Sequence, residues 1–285
     1  MKPEYLTTKG INAFIDAAIK EDVGNGDHST LAAIPENSNS KAQLLIKEDG
    51  IVAGIELAGL IFQKLDSNLK VDFKLKDGDK IEFGDIGFVV EGSSRSILTS
   101  ERLVLNCMQR MSGIATYTSQ LLNLIKGTKA QLLDTRKTTP NFRMMEKWAV
   151  KIGGGTNHRF GLYDMIMLKD NHIDFAGGIK EAIEATHKYL KKSKQELKIE
   201  IETRNIDEVQ QVLQVGGVDI IMLDNMMPSV MKEAIALIGG KFKTEASGGI
   251  TENTIAEVAE TGVDYISVGA LTHSTKSMDI SLKAV

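Results

Sequence analysis

Cysteine, proline and aromatic side chains are scarce in this chain of 285 residues, which has 1 cysteine, 4 prolines and 5% aromatic residues. One cysteine permits no internal disulfide, and this is typical of a reducing compartment such as the cytoplasm. That residue, Cys107, falls on the apolar face of a predicted helix, so we expect a packed thiol rather than a catalytic one. Cys-x-x-Cys, His-Glu-x-x-His and Gly-x-Ser-x-Gly motifs are absent, which disfavours zinc sites and serine hydrolysis. No apolar run approaches membrane-spanning length and no secretory pattern begins the sequence, so we expect a cytoplasmic, globular protein.

Residues 134–172 form a cationic stretch, although the whole chain carries a net charge of −4. This stretch contains seven basic residues and four carboxylates. The basic residues are Arg136, Lys137, Arg143, Lys147, Lys151, Arg159 and Lys169. Clustered positive charge in an acidic protein attracts small anions, whereas nucleic acid favours a broadly basic face. A basic surface loop is the alternative, but the glycines at 153–155 and His158 in the same stretch favour a binding site. The sequence therefore predicts a small polyanionic ligand.

The first third of the chain predicts a compact α/β arrangement. Apolar residues recur at helical spacing over residues 11–19, which indicates an amphipathic helix. Short apolar runs between residues 41 and 98, separated by turn residues, predict antiparallel strands. A helix is expected over residues 99–111, with Thr99 or Ser100 as its N-cap and Gly113 at its end.

Beyond Gly113, six apolar runs recur, and each of them ends in a polar or small residue. These ends are Asp134, Lys169, Glu202, Asp224, Ser247 and Gly269, and helical patterns fill most of the gaps. Such strand–helix repeats predict a parallel sheet covered on both faces. In a barrel all the strand ends meet at one mouth, whereas an open sheet spreads them along an edge. Because every end carries a candidate functional group, we favour a barrel or near-barrel.

Basic side chains follow two of these runs and the glycine-rich segment. Arg136 offers a planar fork for a carboxylate, and Lys137 a point charge for a phosphate. His158 and Arg159 follow glycines whose backbone N–H groups can approach an anion closely. Together with Lys169 they predict an anion site, since a solvated basic turn does not explain cations in three separate stretches.

Two carboxylates, Glu202 and Asp224, each close an apolar strand. Mg²⁺ is typically held by one or two carboxylates together with substrate phosphates, so this pair is a candidate metal site. Alternatively the two acids pair with Lys137 and Lys169, and both interpretations can hold at once. Glu200 lies on the same face of the strand as Glu202 and is the weaker candidate.

Small residues follow the last two runs. Ser247 and Gly248 lead into a helix expected to start near Glu252, and helix N-termini bind phosphate. Gly269 follows the final run, and loops after the last strands of a barrel often form a phosphate site. A plain strand–helix turn is the alternative interpretation of Gly269.

Eight segments are spread over nearly the whole chain: EDVGNGDHST at 21–30, ERLVLNCMQRMSGIAT at 101–116, DTRKTTP at 134–140, GGGTNHRFGLYDMIMLKDNH at 153–172, IEIE at 199–202, MLDN at 222–225, ASGGI at 246–250 and VGALTHS at 268–274. In this order and spacing they resemble the quinolinate phosphoribosyltransferase family, also called carboxylating nicotinate-nucleotide pyrophosphorylases.

The resemblance implies an α/β fold with an N-terminal α/β sandwich and a seven-stranded parallel β/α barrel-like domain. The implied boundaries are residues 1–112 for the sandwich, 113–270 for the barrel-like domain and 271–285 for a segment returning to the sandwich. It implies transfer of phosphoribosyl from phosphoribosyl pyrophosphate to quinolinate with loss of CO₂, with Mg²⁺ as cofactor. A homodimer or a higher even oligomer is implied, in which Arg102 enters the neighbouring subunit's site.

The resemblance also implies a role for each candidate residue. The pyridine carboxylates are assigned to Arg136, His158 and Arg159. Lys137 and Lys169 are assigned to substrate, phosphates and catalysis. Glu202 and Asp224 are assigned to the ribose hydroxyls, Mg²⁺ and catalysis. The 5′-phosphate is assigned to Ser247, Gly248 and Gly269.

Two departures from the family pattern leave every charged candidate in place: Asn141 stands where glycine is usual after Pro140, and MLKDNH stands for LIKDNH. The first affects only the expected loop shape. Other activities remain open at this point, namely transfer to a different aromatic acid and a Schiff-base lyase using Lys137 or Lys169. The third alternative is a non-catalytic anion sensor. It is disfavoured because pure anion binding gains nothing from the carboxylates of Glu202 and Asp224.

Overall fold

The computed structural model describes residues 3–285. The helices are α1 (Thr8–Val23), α2 (His28–Ala33), α3 (Ile55–Leu65), α4 (Ser94–Leu124), α5 (Arg143–Ile152), α6 (Asp170–Ala176), α7 (Ile179–Ser193), α8 (Ile206–Val215), α9 (Pro228–Ile238), α10 (Ile255–Ala259) and α11 (Ala270–His273). The strands are β1 (Asn39–Ile46), β2 (Gly50–Ile51), β3 (Lys70–Phe73), β4 (Lys80–Ile81), β5 (Ile86–Ser93), β6 (Gln131–Leu133), β7 (Ile166–Leu168), β8 (Ile199–Thr203), β9 (Ile220–Asp224), β10 (Lys243–Ser247), β11 (Tyr265–Ser267) and β12 (Ile280–Ala284). Within residues 3–285, no helix is both long and apolar enough to cross a bilayer.

The chain forms two compact units. The first consists of the described residues up to Ser119, together with Thr138–Gly154 and Ala270–Val285. The second consists of Gln120–Lys137 and Gly155–Gly269. Each unit therefore contains segments that are distant in the sequence.

In the first unit, a four-stranded antiparallel sheet has the order β12-β1-β5-β3, and β2 pairs antiparallel with β4. The antiparallel strands predicted between residues 41 and 98 are therefore confirmed except for the last run, since residues 94–98 belong to helix α4. The predicted amphipathic helix is α1, whose Ile11 and Ile15 are buried and whose N-cap, Thr7, accepts a hydrogen bond from the N–H of Gly10. Helix α3 was missed, because its short apolar run reads equally well as a buried strand.

The predicted helix over residues 99–111 is wrong at both ends. Helix α4 begins at Ser94, and Ser100 lies inside it, with its hydroxyl donating to the carbonyl oxygens of Ser96 and Ile97. The helix also runs through Gly113 to Leu124. A Cβ at position 113 would lie 2.1 Å from the carbonyl oxygen of Lys276, so glycine is needed for a close backbone approach and not to end the helix.

The second unit contains a six-stranded parallel sheet with the order β6-β11-β10-β9-β8-β7. Helices α7, α8 and α10 follow the predicted apolar patterns in the connections. Thr156 forms one isolated parallel bridge with Leu133 beside β6. The parallel sheet is confirmed, whereas the implied count of seven strands is not, since the described residues form six.

The two strands that flank β9 each direct an acidic side chain towards His158. Neighbouring strands lie about 4.8 Å apart, so β8 and β10, which are separated by β9, would be roughly 10 Å apart in a flat sheet. Carboxylate oxygens from Glu200 on β8 and Glu245 on β10 nevertheless lie 3.0 and 3.2 Å from the same atom, Nε2 of His158. All five residues of β8 are buried, as expected for a parallel strand covered on both faces.

Candidate active site

The carboxyl ends of the six parallel strands carry the residues predicted for them. β9 ends at Asp224 and β10 at Ser247, and these two residues are register partners. Lys169 directly follows β7, and Glu202 is the penultimate residue of β8. Gly269 lies two residues beyond β11. Because parallel strands present these ends on one side of a sheet, the predicted groups share that side of the second unit.

A cavity of about 260 Å³ in the second unit is lined by Arg136, Lys137, His158, Arg159, Met167 and Lys169. Five of these six residues are basic, and they come from the ends of β6 and β7 and from the segment after Thr156. Burial lowers the pKa of Arg159, and the positive charge of Arg136 lowers it further. The two guanidinium groups therefore act on each other, and an anion placed between them would relieve that repulsion.

A larger cavity, about 510 Å³, lies in the first unit between α1, α4 and residues 139–142. Its lining is mainly apolar, and its one guanidinium, Arg110, is already paired with Glu146. The smaller cavity is therefore the better candidate for binding a polyanion.

Lys169 forms an ion pair with Glu202, the pairing that the sequence left open. The second carboxylate oxygen of Glu202 accepts the backbone N–H of Asp170 at 3.1 Å. Burial raises the pKa of the nearby Asp224 and the negative charge of Glu202 raises it further, while a hydrogen bond from Asn225 lowers it. The two carboxylates thus repel each other electrostatically, and a cation between them would be stabilised.

Asp134 anchors the segment that carries His158. It is fully buried, and its carboxylate accepts the side-chain amide of Asn157 at 2.6 Å and the backbone N–H of His158 at 2.8 Å. The sequence predicted Asp134 only as a strand end. The structure adds its role in fixing the start of the cationic segment.

His158 sits against two fully buried carboxylates. Its Nε2 lies 3.0 Å from Glu200 and 3.2 Å from Glu245, both of which are 0% exposed. Ligand atoms of the three residues all lie within 4.8 Å of one another, a spacing compatible with a metal ion. Nε2 of the imidazole already contacts both acids, so a metal is not needed to account for the cluster. Glu245 was missed by sequence reasoning, although it precedes Ser247 by two residues, as Glu200 precedes Glu202, and so lies on the same strand face.

The protons of this cluster are shared. Burial would lower the pKa of His158, but its contacts with Glu200 and Glu245 outweigh burial and raise the pKa to about 10. Nδ1 nevertheless accepts the backbone N–H of Arg159 at 2.6 Å, which is possible only without a proton on Nδ1. The Nδ1 contact leaves the imidazole neutral and places the shared proton on the carboxylates, where burial, together with the charge of Glu245, raises the pKa of Glu200 to about 7.

Not every cation of the stretch 134–172 belongs to the cavity. Arg143, Lys147 and Lys151 lie on α5, in the first unit, and Lys147 is completely buried there. The predicted convergence therefore applies to Arg136, Lys137, Arg159 and Lys169.

The glycines at 153–155 end α5. The N–H groups of Gly153 and Gly154 donate to the carbonyl oxygens of Ala149 and Lys151. A Cβ at Gly153 would lie 2.4 Å from the carbonyl oxygen of Ala115, so this glycine is required by close contact. The predicted use of these N–H groups for an anion is wrong for Gly153 and Gly154, because helix-capping bonds already occupy them.

The loop after β10 is built around Asn225. Its backbone N–H donates to the carbonyl oxygen of Ser247 at 2.9 Å, and its side-chain amide donates to Asp224 at 2.8 Å. A Cβ at Gly248 would lie 2.2 Å from Oδ1 of Asn225, so only glycine fits. The helix expected near Glu252 instead begins at Ile255, which makes this loop longer than predicted.

Two further predicted features lie in the first unit. Arg102 is exposed on α4. Asn141 has a φ of 63°, in the left-handed region that glycine adopts freely and asparagine tolerates better than other residues. The replacement of glycine at this position therefore keeps a glycine-like loop conformation.

A parallel sheet with a basic cavity and two repelling carboxylates at its strand ends defines an α/β protein built to hold small polyanions. Family models for the N-terminal and C-terminal domains of quinolinate phosphoribosyl transferase match residues 27–112 and 114–283. The chain belongs to the quinolinate phosphoribosyltransferase family.

Proteins similar to this chain match it over nearly its whole length. A quinolinate phosphoribosyltransferase [decarboxylating] of Nicotiana glauca, named as mitochondrial, is 47% identical over 99% of this chain and 84% of the relative. The crystal structure of NadC from Streptococcus pyogenes has a TM-score of 0.91 and 40% identity, covering 98% of this chain and 99% of that one. The nicotinate-nucleotide pyrophosphorylase structure from Francisella tularensis has a TM-score of 0.91 and 38% identity, covering 98% of each chain.

Proposed function

We propose that this protein transfers the phosphoribosyl group of phosphoribosyl pyrophosphate to quinolinate, giving nicotinate mononucleotide, pyrophosphate and CO₂. The main support for this proposal is a cavity lined by Arg136, Lys137, His158, Arg159 and Lys169 in a chain that belongs to this family. Quinolinate is a dianion and phosphoribosyl pyrophosphate is a polyanion, so the two substrates repel each other without such cations. Charge-assisted hydrogen bonds contribute roughly 1.5–3 kcal/mol each, so several of them offset that repulsion and the entropy lost on binding.

Arg136 and Arg159 are proposed to bind the two ring carboxylates, with His158 in the same wall of the cavity. The planar guanidinium fork matches a carboxylate in geometry, and the mutual repulsion of the two arginines favours a bound dianion. Lys137 and Lys169 are proposed to neutralise phosphate oxygens as pyrophosphate leaves. Lys169 becomes available when substrate or metal displaces it from Glu202.

Glu202 and Asp224 are proposed to bind the ribose hydroxyls and Mg²⁺. Their fit to this ion is supported by hard carboxylate donors on neighbouring strands, and by the raised pKa of Asp224, to which the charge of Glu202 contributes after burial. When bound, Mg²⁺ would neutralise charge on the pyrophosphate group. As the bond from ribose C1 to pyrophosphate breaks and the pyridine nitrogen bonds to C1, positive charge grows on the ribose, and the two carboxylates stabilise it.

Ser247, Gly248 and Gly269 are proposed to hold the 5′-phosphate. The proposal is supported by the open, glycine-containing loops at the ends of β10 and β11, where Gly248 has a φ of 91°. After transfer, the 2-carboxylate leaves as CO₂ and its electron pair stays on the ring carbon, which then takes a proton. Nearby cations stabilise that negative charge.

The test offers purified protein and Mg²⁺ with phosphoribosyl pyrophosphate and either quinolinate or nicotinate. We expect mononucleotide and an equal amount of CO₂ from quinolinate, and at most trace product from nicotinate. Faster turnover of nicotinate would replace this proposal with a phosphoribosyltransferase for a monocarboxylic acid. The Schiff-base lyase is not favoured, because Lys169 is engaged in an ion pair with Glu202.

We further propose a homodimer, or a higher even oligomer, in which Arg102 completes the neighbouring subunit's site. The exposure of Arg102 on α4 supports this. Inactive Arg102→Ala and Lys137→Ala proteins should regain up to about a quarter of wild-type activity on subunit mixing, because random pairing makes half the dimers hybrid and each hybrid has one intact site. No recovery, with mixed dimers shown by mass spectrometry, would contradict the shared site.

A cytoplasmic location is proposed on the strength of the single buried thiol, Cys107. Fractionation of the source cells with an antibody to this protein tests it.

A further inference from the structure

The buried acids Glu200 and Glu245 are not among the groups given a role in the proposed reaction. Both are 0% exposed, and no hydrogen-bond donor within residues 3–285 is aligned with any of their four carboxylate oxygens. Burying two carboxylates so close together costs free energy unless they serve a positive or protonated partner. The partner in contact is the imidazole of His158, whose side chain is 6% exposed.

The ring of His158 is thus held on both sides. Nε2 faces the two acids at 3.0 and 3.2 Å, and Nδ1 accepts the backbone N–H of Arg159 at 2.6 Å. A second hydrogen bond also holds Arg159, since its guanidinium Nη1 donates to the carbonyl oxygen of Met165 at 3.1 Å. The acids, the ring and the arginine form one continuous chain of contacts that ends at the wall of the basic cavity.

We propose that Glu200 and Glu245 are positioning residues for Arg159: they fix the imidazole of His158, which in turn fixes the Arg159 backbone, so that the guanidinium is set for a substrate carboxylate. The inference rests on the proposed function, because it assumes that Arg159 binds that carboxylate. The arrangement is possible because Glu200 and Glu245 lie on the two strands that flank β9, on the same face of the sheet.

Electrostatics support the same assignment. Burial lowers the pKa of Arg159 and Arg136 lowers it further, whereas the charge of Glu200 raises it. Glu200 therefore offsets part of the repulsion between the two arginines before substrate arrives. An arginine held in place beforehand loses less side-chain entropy when it binds.

The experiment measures quinolinate and phosphoribosyl pyrophosphate affinities by calorimetry for wild type and for Glu245→Gln, which keeps the size of the side chain and removes its charge. We expect the Kd for quinolinate to rise at least tenfold and the Kd for phosphoribosyl pyrophosphate to change less than twofold. Glu208→Gln is the matched control, since Glu208 is also buried but pairs with Arg204 on the surface. It should change neither affinity.

A double-mutant cycle tests whether the acids act through Arg159. In an Arg159→Ala background, Glu245→Gln should weaken quinolinate binding less than twofold, because the group it positions is already absent. Losses that multiply would overturn the inference. Should Glu245→Gln fail to fold, Glu200→Gln is measured with the same expectation, and failure of both to fold would make the acids structural and overturn the inference.

Two outcomes distinguish a failure of the positioning role from a failure of the proposed function. Unchanged quinolinate affinity in folded Glu245→Gln, with wild-type turnover intact, overturns the positioning role alone. If wild type neither binds nor converts quinolinate, the proposed function and this inference are both overturned.

Discussion

Arg110, which is partly buried, forms an ion pair with the fully buried Glu146 in the first unit: Nε and Nη2 of the arginine donate to the same carboxylate oxygen at 3.0 and 2.8 Å. Glu146 is 0% exposed and also accepts the backbone N–H and the hydroxyl of Thr139. Arg110 in turn donates to the backbone carbonyl oxygens of Thr272 and Thr275. The pair therefore links α4, α5, the loop before α5 and the C-terminal segment.

Removing one member of this pair should be strongly destabilising. Arg110→Ala leaves a buried carboxylate without its charge partner, so we expect the free energy of unfolding to fall by about 3–5 kcal/mol. Urea denaturation followed by circular dichroism measures it. Lys180→Ala, which breaks the exposed pair with Glu184, should cost less than about 1 kcal/mol. Equal losses in both variants would contradict the structural role of the buried pair.

Gly113→Ala should destabilise the protein even though alanine favours a helix interior by about 1 kcal/mol. The new Cβ would lie 2.1 Å from the backbone carbonyl oxygen of Lys276, and backbone cannot yield as a side chain can. We expect a net loss of roughly 1–3 kcal/mol in the free energy of unfolding.

Gly59→Ala provides the comparison, because it lies inside α3 and its Cβ would meet only the ring of Phe73, at 3.0 Å. That ring can shift, so the loss should be smaller than for Gly113→Ala. A stabilised Gly113→Ala protein would show that the close approach does not exist.

Cys107 should be inert towards alkylation in the folded protein. It is 2% exposed, and burial raises the pKa of its thiol to about 12, so almost no thiolate is present at pH 8. Mass spectrometry after iodoacetamide treatment should find no adduct under native conditions and one adduct in urea. Stoichiometric labelling of the folded protein would refute the packed-thiol interpretation.

Stability should depend on Asp264 at acidic pH. Burial alone would raise the pKa of this carboxyl, but hydrogen bonds from Lys243, Thr244 and Lys129 lower it from 3.8 to about 2. Since the folded-state pKa is depressed, the stabilisation is present above pH 3.8 and is lost as the pH falls towards 2. Asp264→Asn should therefore reduce the free energy of unfolding at pH 7 by up to about 2 kcal/mol.

Chemical denaturation of wild type and Asp264→Asn between pH 2 and 7 measures the difference, which should shrink below pH 3.8. Asp72→Asn is the control, because its pair with Lys74 is exposed and should make no resolvable difference. A gap between Asp264→Asn and wild type that is independent of pH would exclude the proposed linkage.

Arg159→Ala should lower kcat/KM for quinolinate at least 100-fold, about 2.7 kcal/mol of transition-state stabilisation, while circular dichroism remains unchanged. Arg159→Lys should recover little of it, because an ammonium cannot make the two-pronged contact with a carboxylate. Arg204→Ala, at an exposed arginine paired with Asp174 and Glu208, should retain activity. Near-normal kcat/KM in Arg159→Ala would remove Arg159 from the site.

The parallel sheet could be predicted because its signal is local. Each strand is a short apolar run that ends in a polar or small residue, and this pattern located the carboxyl ends at Lys169, Asp224 and Ser247. Helix α4 could not be bounded in the same way. Gly113 has the same sequence signal whether it ends a helix or admits a neighbouring backbone, and only the position of Lys276 distinguishes the two.

Some residues of the candidate site could likewise be predicted from the sequence, and others could not. Arg136, Lys137, Arg159 and Lys169 were predicted to converge, and they line one cavity. Glu245 was missed because an acid inside an apolar strand gives no indication of its partner, which is 87 residues earlier in the chain at His158.

By itself the sequence determined the alternation of strands and helices and the chemical groups at the strand ends, because apolar periodicity and turn residues act over a few neighbouring positions. Tertiary structure alone decided which of the seven clustered cations share a cavity and that two acids from non-adjacent strands meet one imidazole. The reason is physical: charge interactions and the cost of burial depend on distance in space, and the packing of strands and loops sets those distances.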